Sequence, residues 1–253
     1  MGRKLRVRDR ILLLLADLGD VLEEWRDPGG LVSNYYQVVY GWIPYRYKRS
    51  NFRATLERLL KVGYIEKVIK NGEPCLRLSS AGYKKLVRDF PLVLLKGKRW
   101  QGTGTLVVFD IEEKRREKRD WFREWLLRLG AGMVQRSVYL FPYDLVLEIQ
   151  ETVTNFGLEK EVEVFPADLR FIRNKRRFAR RVWRLERIGK EYQLLLNEIL
   201  ALESHKGKER QRLNRWIKAR YLEILISDPC LPEEFLPPGW IGKKVKKLIR
   251  NLK

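Results

Sequence analysis

At 253 residues the chain has room for two or three small domains, each with its own core. A hydrophobic content of 45% with 11% aromatic residues excludes a disordered polymer. No apolar run approaches the ~20 residues that a bilayer-spanning helix needs, the longest being residues 11–16, preceded by Asp9. The expectation is a soluble, cytoplasmic protein. Fifty-three Lys and Arg against 32 Asp and Glu leave a formal charge of +21, which points to a polyanionic partner. Nucleic acid comes before an anionic membrane, because no polybasic tract adjoins a hydrophobic anchor or lipidation motif. A plain solvated basic surface is the bland alternative.

Residues 3–25 are predicted to form a first helix, with Ile11, Leu12, Leu15, Leu18 and Leu22 on one face and residues 27–30 breaking it. A second helix is expected over 31–41, carrying Val32, Tyr35, Tyr36, Val39 and Tyr40. A third runs over 50–62, with Phe52, Leu56, Leu59 and Leu60 as its buried stripe and Gly63 at its end. Asn71-Gly72 between the alternating runs 64–70 and 74–78 is the strongest short-range hairpin signal. Another helix follows over 79–88. Three helices and a hairpin is the order of a winged helix-turn-helix, whose third helix enters the major groove while the wing touches the backbone. The candidate DNA-binding residues are Lys48, Arg49, Ser50, Asn51, Arg53 and Arg58, with Lys67 and Lys70 on the wing. Ordinary surface charge on a helical interaction module is the competing reading.

Residues 90–99 read as a linker punctuated by Pro91 and Gly97, with residues 92–95 packed against a neighbour. The next stretch, 100–144, is the organising one. A β-branched strand is expected over 105–111 and a helix over 114–129 with Trp121, Trp125, Leu126 and Leu129 inward. Gly130 and Gly132 stop that helix, and one further strand covers 133–141. A helix over 145–155 and a strand over 161–165 complete a ferredoxin-like sheet with one strand short or unrecognised.

Residues 170–203 are predicted as one long helix. Ten Lys or Arg and one acid, Glu186, fall between Arg170 and Lys190. Arg173, Arg177, Arg180, Arg184 and Arg187 follow at helical spacing, so on one continuous helix they form a ridge that repels itself unless an anion lies along it. The alternative is a solvated face partly neutralised by acids from elsewhere. A charged turn at 205–208, a helix over 211–226, a proline-rich but apolar clasp over 228–242 and a basic helix over 243–252 end the chain.

The wording of several stretches carries a resemblance. Trp100, Phe109-Asp110-Ile111, Arg119, Gly130, Gln135, Ser137-Val138-Tyr139 and Pro142-Tyr143-Asp144 resemble the core of the PaaX-like family of transcriptional repressors. That core is related to the small ferredoxin-like subunit of CRISPR adaptation complexes. Asn51 to Leu59, Gly63, Leu78-Ser79-Ser80-Ala81-Gly82, Arg220-Tyr221 and the clasp extend the resemblance over essentially the whole chain. Two departures stand in the core: Glu112-Glu113 where proline is usual after the Asp-Ile pair, and Ala131 where an aromatic residue is common. The fold class implied is α+β. A winged helix-turn-helix is expected over 1–89, a ferredoxin-like dimerisation domain over 100–168 and a mainly helical C-terminal domain over 169–253.

The resemblance implies a homodimeric repressor on palindromic double-stranded DNA, released by an acyl-CoA-like effector. Such an anion could use the arginine ridge, for which DNA and RNA are the alternative ligands. No Ser-His-Asp, Cys-His or Walker-type constellation appears. Cys75 and Cys230 stand far apart without metal spacing, and His205 is the only histidine, so no metal or cofactor is expected. Asp110 is the one candidate for chemistry. In the CRISPR relatives an aspartate at the matching place can hold a metal at the dimer axis, so a Mg²⁺-dependent nuclease, or a structural adaptor in nucleic-acid processing, is the alternative class. Helix capping or an arginine pair is the plainer role for Asp110.

Overall fold

The computed structural model of the chain describes residues 5–17, 39–44, 46–70, 73–90 and 100–252. It is mixed α and β, with one two-stranded and one four-stranded sheet. It divides into two compact units. The first holds residues 1–94, 189–226 and 239–253, and the second holds 95–188 and 227–238. The region read from sequence as one C-terminal domain therefore contributes to both.

In the first unit, α1 (Val7–Asp17) is enclosed rather than amphipathic. Leu13 and Leu14 are as buried as the predicted Ile11, Leu12 and Leu15. The reason is that, among the described residues, α1 packs against α2 (Arg49–Lys61), strand β2 (Glu73–Leu78), α3 (Ser80–Asp89) and α8 (Gly207–Leu225). A helix surrounded in this way is apolar on every side over residues 11–15, while Asp9 and Arg10 in its first turns are buried as partners of Arg8 and Glu223. The predicted continuation of α1 through Leu18 and Leu22 lies outside the described residues, as does most of the second helix, of which residues 39–41 are helical. Strand β1 (Ile65–Lys70) pairs antiparallel with β2 from Ile65 opposite Leu78 to Lys70 opposite Glu73. The Asn71-Gly72 turn and the linker residues 91–99 lie outside the described residues. From Gly189 onward α7 (Leu185–Ala201) belongs to this unit, together with α8 and the basic α9 (Ile241–Asn251).

The second unit is built on β3 (Thr103–Phe109), α4 (Arg116–Arg128), β4 (Gly132–Gln135), β5 (Val138–Phe141), α5 (Val146–Asn155) and β6 (Val162–Asp168). The strand order is β4-β5-β3-β6, with every pair antiparallel. This is the split β-α-β arrangement of a ferredoxin-like sheet. The single strand expected over 133–141 is two strands. The chain turns at Arg136-Ser137, with a bulge between Met133 and Gln135. An alternation that continues through a tight turn hides the turn, and the missing fourth strand is found there. Phe109 stacks on Tyr139 at 5.7 Å and meets Phe122 of α4 edge-on at 5.4 Å, with Ile149 and Val153 of α5 also buried.

The long helix expected over 170–203 is also two. α6 (Lys175–Trp183) ends at Arg184, which sits in the left-handed region at φ 49°, and α7 starts at Leu185. Val182, Trp183 and Leu185 are all buried. Straight helix would spread these three over different faces, and the kink at Arg184 brings them inward together.

Candidate nucleic-acid interface

Phe52, Leu56 and Leu59, spaced four and three apart, bury one side of α2 and leave the rest to solvent. Its C-terminus is closed by a Schellman arrangement. Gly63, at φ 76°, donates to the Leu60 carbonyl, and Tyr64 donates to that of Leu59, each at 3.0 Å. The hairpin base is tied to the same point. The Ser79 amide donates to the Tyr64 carbonyl, the Ser79 hydroxyl donates to the Gly63 carbonyl, and that hydroxyl also caps α3 by accepting from the Gly82 amide. A Cβ on Gly82 would stand 1.9 Å from the Tyr64 carbonyl oxygen. The Leu78-Ser79-Ser80-Ala81-Gly82 wording is thus the requirement for joining α2, the hairpin and α3 at one corner.

Of the sequence-predicted residues, Lys48, Arg49, Ser50, Asn51, Arg53 and Arg58 are all exposed. Helical geometry puts Ser50, Ala54, Glu57 and Lys61 opposite the buried stripe, with Arg53 on one flank and Asn51 and Arg58 on the other. Two of these positions are less simple than the sequence suggests. Arg53 lies 3.5 Å from Glu57 one turn on, so an acid occupies the centre of the outward face. Arg49 stands over the Tyr40 ring at 5.4 Å. On the wing Lys67 is exposed, and the neighbouring Glu66 pairs with Arg77 across the strands at 2.8 Å. The side chain of Lys70 lies outside the described residues.

A device that sequence reasoning missed holds the approach to α2. The Tyr40 ring contacts Phe52 of α2 at 5.2 Å and carries the Arg215 guanidinium at 4.2 Å on its face. Arg215 also donates to the carbonyls of Ile43 and Pro44. Lys218, one turn further along α8, sits 5.6 Å from the centre of the buried Trp42 ring. Nothing in the sequence links residue 215 to residue 43, which are 172 positions apart.

In the second unit Arg173, Arg177, Arg180, Arg184 and Arg187 are exposed, but they do not form the predicted single-face ridge. Arg173 precedes α6, Arg184 is the left-handed break and Arg187 opens the next helix. The charge is instead concentrated on α6, where Arg176, Arg177, Arg180 and Arg181 are exposed within one short helix that Asn174 caps by accepting from the Arg177 amide. Arg180 is 3.9 Å from Glu186. Upstream, Arg170 forks onto Asp168, and that side-chain hydrogen bond, with the Arg170 amide, pulls the Asp168 carboxyl down to about 2.

Asp110 follows β3 directly and is exposed, its amide donating to the Glu161 carbonyl at 2.9 Å. Its carboxylate makes no cap or ion pair among the described residues. No group of three or more His, Cys, Asp or Glu side chains there could hold a metal ion. The Cys230 thiol is buried and donates to the Asp228 carbonyl at 3.4 Å, and the side chain of Cys75 lies outside the described residues.

The remaining motif residues converge on the clasp. Phe235 is fully buried, with the Trp100 ring 5.2 Å and the Trp183 ring 6.2 Å from it, both edge-on. The Trp100 indole donates to the Pro142 carbonyl, and the Trp183 indole to that of Gly130. Trp100, Gly130, Pro142 and Phe235 therefore act as structure. Among the described residues no helix is long and apolar enough to cross a membrane.

The comparisons with known proteins agree with this architecture. Residues 97–179 match the family model of the PaaX protein central Cas2-like domain, and residues 183–253 match that of the PaaX-like protein C-terminal domain. No curated protein matches the chain. A solved structure, that of an uncharacterised protein from Mycobacterium tuberculosis, is 18% identical, with a TM-score of 0.55 over 95% of this chain and 94% of that one. At that identity the likeness is one of fold. The two family matches together span more than half of the sequence, and the chain belongs to the PaaX-like family, with a Cas2-like central domain.

Proposed function

We propose that the chain is a DNA-binding transcriptional regulator of the PaaX-like type, a repressor that works as a homodimer through its ferredoxin-like domain. In this reading α1, the helix ending at residue 41, α2 and the β1–β2 hairpin are a winged helix-turn-helix. α2 enters the major groove and the hairpin lies on the backbone. The observation that carries it is the outward face of α2. Ser50 and Ala54 are short enough for close approach to base edges, and Arg53, Arg58 and Lys61 are exposed beside them. Two copies on a two-fold axis would read a palindromic operator. An anionic, acyl-CoA-like metabolite would release the DNA. Asp110 does no chemistry in this reading, and no metal or other cofactor is required.

The test is binding of the purified full chain to fragments from upstream of its own gene, with competitor DNA, at two salt concentrations, with and without Mg²⁺. A discrete shift of intact duplex that resists competitor and is weakened by Arg53→Ala is expected. Binding that ignores sequence overturns the reading. So does Mg²⁺-dependent cutting lost in Asp110→Ala, which would favour nucleic-acid processing by the central domain.

A further inference from the structure

In the second unit the turn between β6 and α6 holds an aromatic ring out into solvent. Phe171 keeps 84% of its surface exposed, more than any other large apolar side chain among the described residues. The turn that carries it is pinned from both sides. Arg170 forks onto Asp168, and its stem lies so close to Gly102 that a Cβ there would stand 2.5 Å from it. The Ile172 amide donates to the carbonyl of the buried Leu169 at 3.3 Å. The Lys175 ammonium, at the start of α6, reaches back to the carbonyls of Arg170 and Ile172. One exposed ring is ordinary by itself. What stands beside this one gives it meaning.

Ala179, Val182 and Trp183 are the buried residues of α6, and helical geometry puts Arg177 and Arg181 opposite them, with Arg180 on the flank. The buried side is fixed. Val182 and Trp183 close on Gly132, and the Trp183 indole donates to the Gly130 carbonyl. Part of the outward side is fixed as well. The Arg181 guanidinium lies over the Phe178 ring at 5.7 Å, and Phe178 meets Trp183 edge-on at 6.2 Å. Arg173, Arg176 and Arg177 have no carboxylate within ion-pair distance among the described residues. The acids nearby are fewer than the arginines. Glu186 is 3.9 Å from Arg180, and Glu233 and Glu234 belong to the short turn that packs on α6. Apart from Lys175, which is taken up by the two carbonyls, the cations here are all arginine. Lysine serves a merely solvated surface equally well, whereas the planar guanidinium fork matches two phosphate oxygens at once.

We propose that the turn at 170–173 and α6 form a binding surface for an unpaired nucleic-acid strand. Arg177 and Arg181, flanked by Arg173 and Arg180, take its phosphates, and Phe171 stacks on one of its bases. A duplex would offer the same phosphates but hides its base faces, so Phe171 would stay in water. An acidic protein surface would meet the arginines and give the ring no flat partner. RNA and single-stranded DNA share the required chemistry. The surface lies wholly within the second unit, apart from α2 and the hairpin, and it does not rest on the regulator reading.

The probes are fluorescein-labelled oligouridylate and oligodeoxythymidylate of about twelve nucleotides, and anisotropy of the label reports binding to the full chain. Both should bind saturably, and whichever binds at lower concentration assigns the sugar. Arg177→Ala with Arg181→Ala should weaken binding by about tenfold and flatten the log–log salt dependence by about 1.4, the effect of two phosphates on a single strand. Phe171→Ala should weaken it by about fivefold or more with the salt dependence unchanged, and Phe171→Trp should bind at least as tightly as wild type. Arg53→Ala with Lys67→Ala should bind the strand as wild type does. Phe171 has little packing to lose, so its variants carry the test should the double arginine variant not fold. Affinity of Phe171→Ala within about twofold of wild type overturns the proposal. Displacement of the strand by an unrelated duplex as readily as by unlabelled strand overturns it too, and leaves α6 a plain backbone contact. Loss of strand binding in the Arg53 and Lys67 variant also overturns it, by moving the site to α2 and the hairpin.

Discussion

The Tyr143 hydroxyl donates to the carbonyl of Cys230, 2.8 Å away and 87 residues on. Cys230 itself holds a left-handed conformation, φ 51°, with its amide donating to the Asp228 carboxylate at 2.8 Å. One tyrosine after β5 thus fixes the entry of the proline-rich clasp, and the clasp then seats Phe235 beside Trp100 and Trp183. Removing the hydroxyl deletes this buried hydrogen bond. Tyr143→Phe should lower the unfolding free energy by about 1–2 kcal/mol. Urea titration of the full chain should show a lower midpoint at unchanged slope. An unchanged midpoint would mean that the carbonyl finds another donor.

A second contact of the same kind has no slack. A Cβ on Gly132 would stand 2.3 Å from Val182 and 2.6 Å from the Trp183 ring, the two residues that seat the end of α6. Gly132→Ala should cost about 1–3 kcal/mol by overpacking. It should also speed hydrogen exchange of the amides in α6. Protection of those amides equal to wild type would show that α6 is held from elsewhere.

The sequence made much of this readable, and the failures have physical causes. Phe52, Leu56 and Leu59 announced α2, and Asn71-Gly72 announced the hairpin, because each signal is local. Arg136-Ser137 was invisible because the alternation on its two sides is in phase. The break at Arg184 was invisible because a non-glycine residue in the left-handed region has no composition signal. Its cause is the packing of Trp183 and Leu185, which is tertiary. The grip of Arg215 on Ile43 depends on a partner far away in the chain. Glu57 is as plain in the sequence as Arg53, but their pairing depends on side-chain geometry, which the sequence does not carry.

That pair makes a prediction about DNA. Glu57 stands on the outward face of α2 with its carboxylate 3.5 Å from Arg53, and both side chains are mostly exposed. A surface pair of this kind adds little to folding, but a carboxylate facing phosphates opposes binding and occupies a cation. Glu57→Gln should leave thermal stability unchanged and tighten specific binding by about threefold or more at low salt. Arg53→Ala should weaken it by about tenfold. Electrophoretic mobility titrations on one duplex would measure both. Equal affinity for Glu57→Gln and wild type would remove α2's outward face from the interface.

Lys218 makes a prediction about pH. Its side chain is buried on α8 beside Trp42, and that burial lowers its ammonium to about 8. A base whose folded value lies below its unfolded one binds its proton more weakly when folded. Below pH ~8 both states are protonated and the full cost of burying the charge is present. Between pH ~8 and ~10.4 the unfolded chain holds more protons than the folded one, so this group's contribution to stability rises with pH. Contact with the Trp42 ring offsets part of the cost. Lys218→Met keeps the volume and removes the charge. It should therefore stabilise the full chain at pH 7 by about 1–2 kcal/mol, and the gain should shrink as pH approaches ~10.4. Urea midpoints at the two pH values would decide it. A gain that is the same at both, or a loss at pH 7, would show that the ammonium is held by its neighbours rather than tolerated by them.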